Sequence, residues 1–108
     1  MSFNITKVTT DMLHAAESVF ESEWPKAEGA MKDVLAEESA AFKDIADARI
    51  AGKITEEDFQ RQMDDEKETV QAGLAMVRVI NKKLAQDAIN AALTVFAEAV
   101  KAAIGGAL

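Results

Sequence analysis

Cysteine is absent from this 108-residue chain. That removes disulfides, zinc–thiolate sites and thiol nucleophiles, while leaving the redox compartment open. Tyrosine is also absent, and histidine, tryptophan and proline occur once each. With His14 alone, no second imidazole is available for a multi-histidine metal site. Its nearest hydroxyl partner, Ser18, sits at i+4 on a polar face, a contact common on helices and weak as a sign of nucleophilic catalysis. One Pro and five Gly leave few places for turns.

Basic charge is equally scarce. Twelve Lys and Arg stand against nineteen Asp and Glu, for a net charge of −7. Nucleic-acid surfaces need clustered cations to displace counterions, so nucleic acid is not an expected partner. The only basic cluster is Arg78, Lys82 and Lys83. Long apolar runs are missing too. The uncharged stretch 88–97 is half a membrane span and is bracketed by Asp87, Glu98 and Lys101, so a membrane crossing is not expected. The first residues lack the basic-then-apolar order of a signal peptide, which makes the cytoplasm the default expectation.

What remains is a helical composition. Alanine supplies 21 residues, and it has the best helix propensity while allowing close helix packing. The expected fold is all-α and single-domain: a long antiparallel helical hairpin whose first arm is kinked near Pro25. Residues 1–9 read as an extended arm, with Phe3, Ile5 and Val8 tucked against the rest. A first helix over 10–24 begins at the hydroxyls of Thr9 and Thr10 and carries Leu13, Ala16, Phe20 and Trp24 at helical spacing. Pro25 breaks or kinks the chain and is tolerated in the first turn of a second segment, 25–51. That segment carries the stripe Met31, Val34, Leu35, Phe42 and Ile45.

The turn at 52–55 is the clearest punctuation. Gly52 can end a helix in the left-handed conformation, Thr55 can cap the next one, and Ile54 and Phe59 are spaced as a hydrophobic staple. From 56 to 104 nothing obvious stops a helix, which at 1.5 Å per residue would be about 75 Å long. Gly73 is its one internal weak point. Its stripe of Phe59, Met63, Val70 and Leu74 repeats after eleven residues, which predicts a nearly straight seam of bundle or coiled-coil type. Beyond residue 70 the helix carries two apolar stripes, one through Val77, Leu84, Ala88, Ala92 and Val95, the other through Ile89, Leu93, Phe96, Val100 and Ile104. A helix apolar on most of its circumference must be buried on most of it. One hairpin arm covers one side, so a second copy of the chain is expected on the other, giving a four-helix bundle or larger helical assembly.

Three groups of residues invite chemistry. Asp11, His14 and Glu17 share a face, as Glu-x-x-His pairs do in ferritin-like sites. That face lies opposite the apolar stripe, where solvated charges are the rule. Glu38 interrupts the Met31–Ile45 stripe, and folding the hairpin about residue 53 brings it near Glu66. Two carboxylates at one seam level could share a proton or hold a cation; the favoured reading is a wet seam with Glu38 paired to Lys67. Arg78, Lys82 and Lys83 fall opposite Glu21, Glu23 and Glu28 as register-setting pairs, and Asn81 interrupts the apolar stripe where a lone seam Asn can select an oligomeric state. The Gly105–Gly106 pair reads as a helix stop.

The expected function is therefore non-enzymatic: an interaction or scaffold protein, without cofactor, that self-associates through Ile89, Leu93, Phe96, Val100 and Ile104, or pairs with another helical protein. One alternative is a ferritin-like metal-binding bundle using Glu38, Glu66 and His14. The other is an amphipathic protein that inserts residues 84–108 into lipid, disfavoured by the net negative charge.

Overall fold

The computed structural model describes residues 3–77 and 80–107, with side chains to Gly105. Every regular element among them is helical: α1 (Ile5–Phe20), a single 3₁₀ turn (Glu21–Glu23), α2 (Trp24–Ile50), α3 (Glu56–Ala75) and α4 (Lys82–Ala107). At 1.5 Å per residue, the 27-residue α2 is about 40 Å long, close to the 44 Å long axis of the molecule. Each short connection must therefore reverse the chain. The result is an up-down-up-down bundle in which α1 packs on α2 and α4, and α3 packs on the same two helices from the other side. The all-α expectation holds, and a single chain supplies all four helices.

The N-terminal arm of the sequence reading is mostly helix. Asn4, in extended conformation, accepts a hydrogen bond from Lys7 N at 3.1 Å and caps α1. Thr9 and Thr10 lie inside the helix, and their hydroxyls donate to the carbonyls of Ile5 and Thr6 at 2.9 Å. Asn is at least as good a cap as Thr, and a helical Thr can satisfy itself one turn back. Phe3 then packs edge-on against Phe96, with ring centres 6.0 Å apart.

The expected kink near Pro25 is a full reversal. α1 ends at Glu21, whose φ of 52° is the sole positive value among the described non-glycine residues. Pro25 sits in the first turn of α2, where its missing N–H costs nothing. Phe20 and Trp24 bridge the turn with ring centres 6.0 Å apart. This reversal turns α1 from an extension of α2 into a separate wall of the bundle.

The second turn is the one the sequence announced. Gly52 has φ 76°, and Lys53 N and Gly52 N donate to the carbonyls of Ala48 and Arg49 at 2.8 and 3.2 Å. That is the double bond of a Schellman ending. Thr55 and Asp58 form a reciprocal capping box, and Arg49 bridges the turn to Glu56 at 3.1 Å.

The single helix expected over 56–104 does not exist. α3 stops at Ala75, and α4 starts at Lys82 behind Asn81, whose side-chain oxygen accepts from the N–H groups of Lys83 and Leu84 at 2.9 and 3.1 Å. Asn81 is thus a helix cap and not a seam residue. The intervening sequence has neither Gly nor Pro, but Val77, Val79 and Ile80 are β-branched, among the weaker helix formers. Gly73 stays helical inside α3. At the far end α4 continues past Gly105 to Ala107; a Gly in a helix costs only about 1 kcal/mol relative to Ala.

Breaking the long helix satisfies both apolar stripes within one chain. Ala88, Ile89, Ala92, Leu93, Phe96 and Val100 of α4 are all buried. Phe96 is the hub: its ring centre lies 4.9 Å from that of Phe42 on α2 and 6.0 Å from that of Phe59 on α3. With Phe3 ahead of α1, the aromatic layer draws on every wall of the bundle.

Candidate functional site

The reversal between α3 and α4 leaves a groove of about 420 Å³ at one end of the bundle. Leu74 forms its α3 wall, Val77 and Ile80 its end, Ala85 and Ile89 its α4 wall, and Lys82 is the one charged residue on its lining among the described residues. Met76, at the C-terminus of α3, is 84% exposed. Among the described residues it is the only large apolar side chain so exposed. The sequence held one signal for this feature, the β-branched cluster just before Asn81, but continuous helical periodicity on either side masked it.

A second feature lies in the α2–α3 seam. Val34 and Val70 are buried on facing helices, and a Cβ on Gly73 would stand 2.7 Å from Cγ2 of Val34. Missing bulk at Gly73 therefore lets the helices approach closely. Glu38 follows Val34 by one turn and Glu66 precedes Val70 by one, so antiparallel packing brings the two carboxyl groups together. The Oε2 of Glu66 is buried without a hydrogen-bond partner. Burial, and then the nearby Glu38 carboxyl, push the Glu66 carboxyl up to about 7. The juxtaposition read from the sequence is present. The expected Glu38–Lys67 pair is not found among the described ion pairs.

As potential metal ligands these carboxylates lack company. Among the described residues no three His, Cys, Asp or Glu side chains converge. His14 and Glu17 are exposed on α1, and Asp11 pairs with Lys7 at 3.0 Å, as a solvated helix face should. Among the described residues the register pairs are not formed either. Glu23 binds Lys26 across the start of α2, and Glu28 binds Lys32 and Lys83 binds Asp87 within their own helices. Arg78 lies outside the described residues. The break at 76–81 changes the register on which those pairings depended.

The five expected interface residues fall in two classes. Ile89, Leu93, Phe96 and Val100 are core residues of the single chain. Ile104 is half-buried beside a second cleft of about 410 Å³, between α3 and the end of α4, whose lining mixes Arg49 and Lys101 with Glu56 and Glu98. This stripe needs no second copy to cover it, because the α1 reversal and the α3–α4 reversal cover it from within. Of the five, Ile89 alone also reaches the open α3–α4 groove.

Among the described residues one helix, α4 over Lys82–Gly105, is long and apolar enough to cross a membrane. The chain matches no protein-family model, no curated protein and no solved structure.

Proposed function

We propose that this protein is a non-enzymatic helical interaction module that pairs with a second copy of itself through the α3–α4 end of the bundle. The observation that carries the reading is Met76, an exposed apolar knob beside an unfilled apolar groove. A two-fold pair needs a self-complementary patch, in which a knob and its hole occur on the same surface. Here each Met76 would enter the groove of the other copy. Charge favours the same partner: Lys82 on the groove lining meets a chain with a net charge of −7.

A patch of this size belongs to the small interfaces, under about 1,200 Å² in total, that associate weakly. Sedimentation equilibrium should show a monomer–dimer equilibrium reaching dimer towards millimolar protein. Met76→Glu should remain monomeric there with an unchanged melting profile, since the side chain makes little contact within the monomer. A wild-type chain that stays monomeric at millimolar concentration would overturn the reading.

A lipid surface is a second reading, favoured by the length and apolarity of α4. It requires the bundle to open, because α4 buries Ile89, Leu93 and Phe96 in the core. Flotation with neutral and with anionic vesicles tests it, and protein left at the bottom of both gradients would rule it out.

A further inference from the structure

The α2–α3 seam holds a carboxyl pair at a level where the rest of the interface is apolar. Glu38 interrupts a stripe whose other members, Met31, Val34, Leu35, Phe42 and Ile45, are all buried. Glu66 lies between buried Met63 and Val70 on the facing helix and turns one oxygen into the seam with no donor to meet it. Ionised carboxylates only accept hydrogen bonds. Two of them in contact, one with a buried oxygen, form a satisfied pair when a single proton is shared.

Among the described residues no cation acts on Glu66 in its place. On its own helix Glu66 stands between Asp65, an acid that adds repulsion, and Lys67, which enters no described ion pair. Across the seam on α2 stands Glu38. The other helix packed on α3 is α4, which carries no charged residue between Asp87 and Glu98. α1 packs on α2 and α4 and makes no contact with α3. No described ion pair includes Glu38 or Glu66.

We propose that Glu38 and Glu66 form a proton-dependent latch between α2 and α3, closed while one proton lies between the two carboxyl groups and opened when it leaves. Loss of the proton places two negative charges, with Asp65 beside them, in a seam that Gly73 and Val34 hold close. Separation of the helices at this level, with entry of water, relieves both repulsion and desolvation. The latch operates on the α2–α3 seam and does not depend on pairing through the α3–α4 groove.

The direction of the pH effect follows from linkage. Glu66 holds its proton more tightly folded than unfolded, near 7 against an ordinary 4.5. The stabilising contribution is complete below about 4.5 and is lost as pH rises through about 7. Thermal unfolding in a His14→Gln background, which removes the only histidine, should show the melting temperature falling between pH 5 and pH 8. Glu66→Gln keeps a neutral side chain of the same shape and should abolish that fall, melting above its parent at pH 8. A parent that melts equally at both pH values, or a Glu66→Gln variant that falls in parallel with it, would overturn the proposal.

Two readouts do not depend on the folding of the Gln variant. Carboxyl carbon NMR of the unaltered chain should show one glutamate titrating near neutrality; all glutamates titrating below pH 5 would overturn the proposal. Because the chain has no cysteine, spin labels can be placed cleanly through Ala36→Cys and Thr69→Cys, exposed positions on α2 and α3 near the pair. Their distance distribution should lengthen and broaden from pH 5 to pH 8, and an unchanged distribution would show that nothing opens.

Discussion

Gly73 of α3 faces Val34 of α2 so closely that a Cβ on the glycine would stand 2.7 Å from the Cγ2 of the valine. Val34 is β-branched and buried, and a β-branched side chain in a helix has one strongly preferred rotamer, so it cannot swing away cheaply. Gly73→Ala should gain about 1 kcal/mol of helix propensity and lose roughly 1–3 kcal/mol to overpacking. Net destabilisation is expected in urea unfolding. In a Val34→Ala background, the same Gly73→Ala change should become stabilising. Failure of the sign to reverse would show that the two residues do not limit the approach of the helices.

Phe96→Ala should cost about 3–5 kcal/mol, because it empties the centre of an aromatic layer built by Phe3, Phe42 and Phe59. That is a large share of the stability of a domain this size. The variant should show a strongly lowered urea midpoint or no cooperative transition. A variant that folds like the parent and loses only mass would mean that Phe96 serves an interface between chains.

Glu21 holds φ 52° and ψ −119°, a conformation in which a Cβ is strained. Glu21→Gly should raise stability by roughly 0.5–1 kcal/mol, less than the full strain because glycine also loosens the unfolded chain. The check is the melting temperature. A fall on substitution would show that the turn is set by contacts of the Glu21 side chain.

On the acid side of the stability profile the sign is opposite to that of the latch. Hydrogen bonds from Gln60 and Arg49 lower the Glu56 carboxyl, and those from the backbone and hydroxyl of Thr55 lower Asp58. Their contribution is present above the ordinary values of 4.5 and 3.8 and disappears as pH falls through the lowered ones. With the Glu66 contribution fading towards neutrality, melting temperature should peak at mildly acidic pH and decline on both sides. Asp58→Ala should flatten the acid limb and leave the neutral limb unchanged.

Local chemistry, which needs only neighbouring residues, was legible in the sequence in large part, although the caps at Asn4 and Asn81 were not read from it. The alanine content, the scarcity of Pro and Gly and the 3.6-residue stripes specified helices. Gly52, Thr55 and Phe59 specified one turn down to its capping box, and the positions of Glu38 and Glu66 on facing stripes brought them together before any coordinates. The fates of Pro25, residues 76–81 and the second α4 stripe were decided by tertiary packing. Pro25 permits either a kink or a reversal, and the choice depends on the area α1 buries against α4. The segment before Asn81 is a weak helix former, not a forbidden one, so it breaks because folding α4 back buries Phe96 and Val100 within the same chain. Periodicity shows that an apolar stripe must be covered, but it carries no record of whether the covering helix comes from another molecule or from the chain's own first sixteen-residue helix.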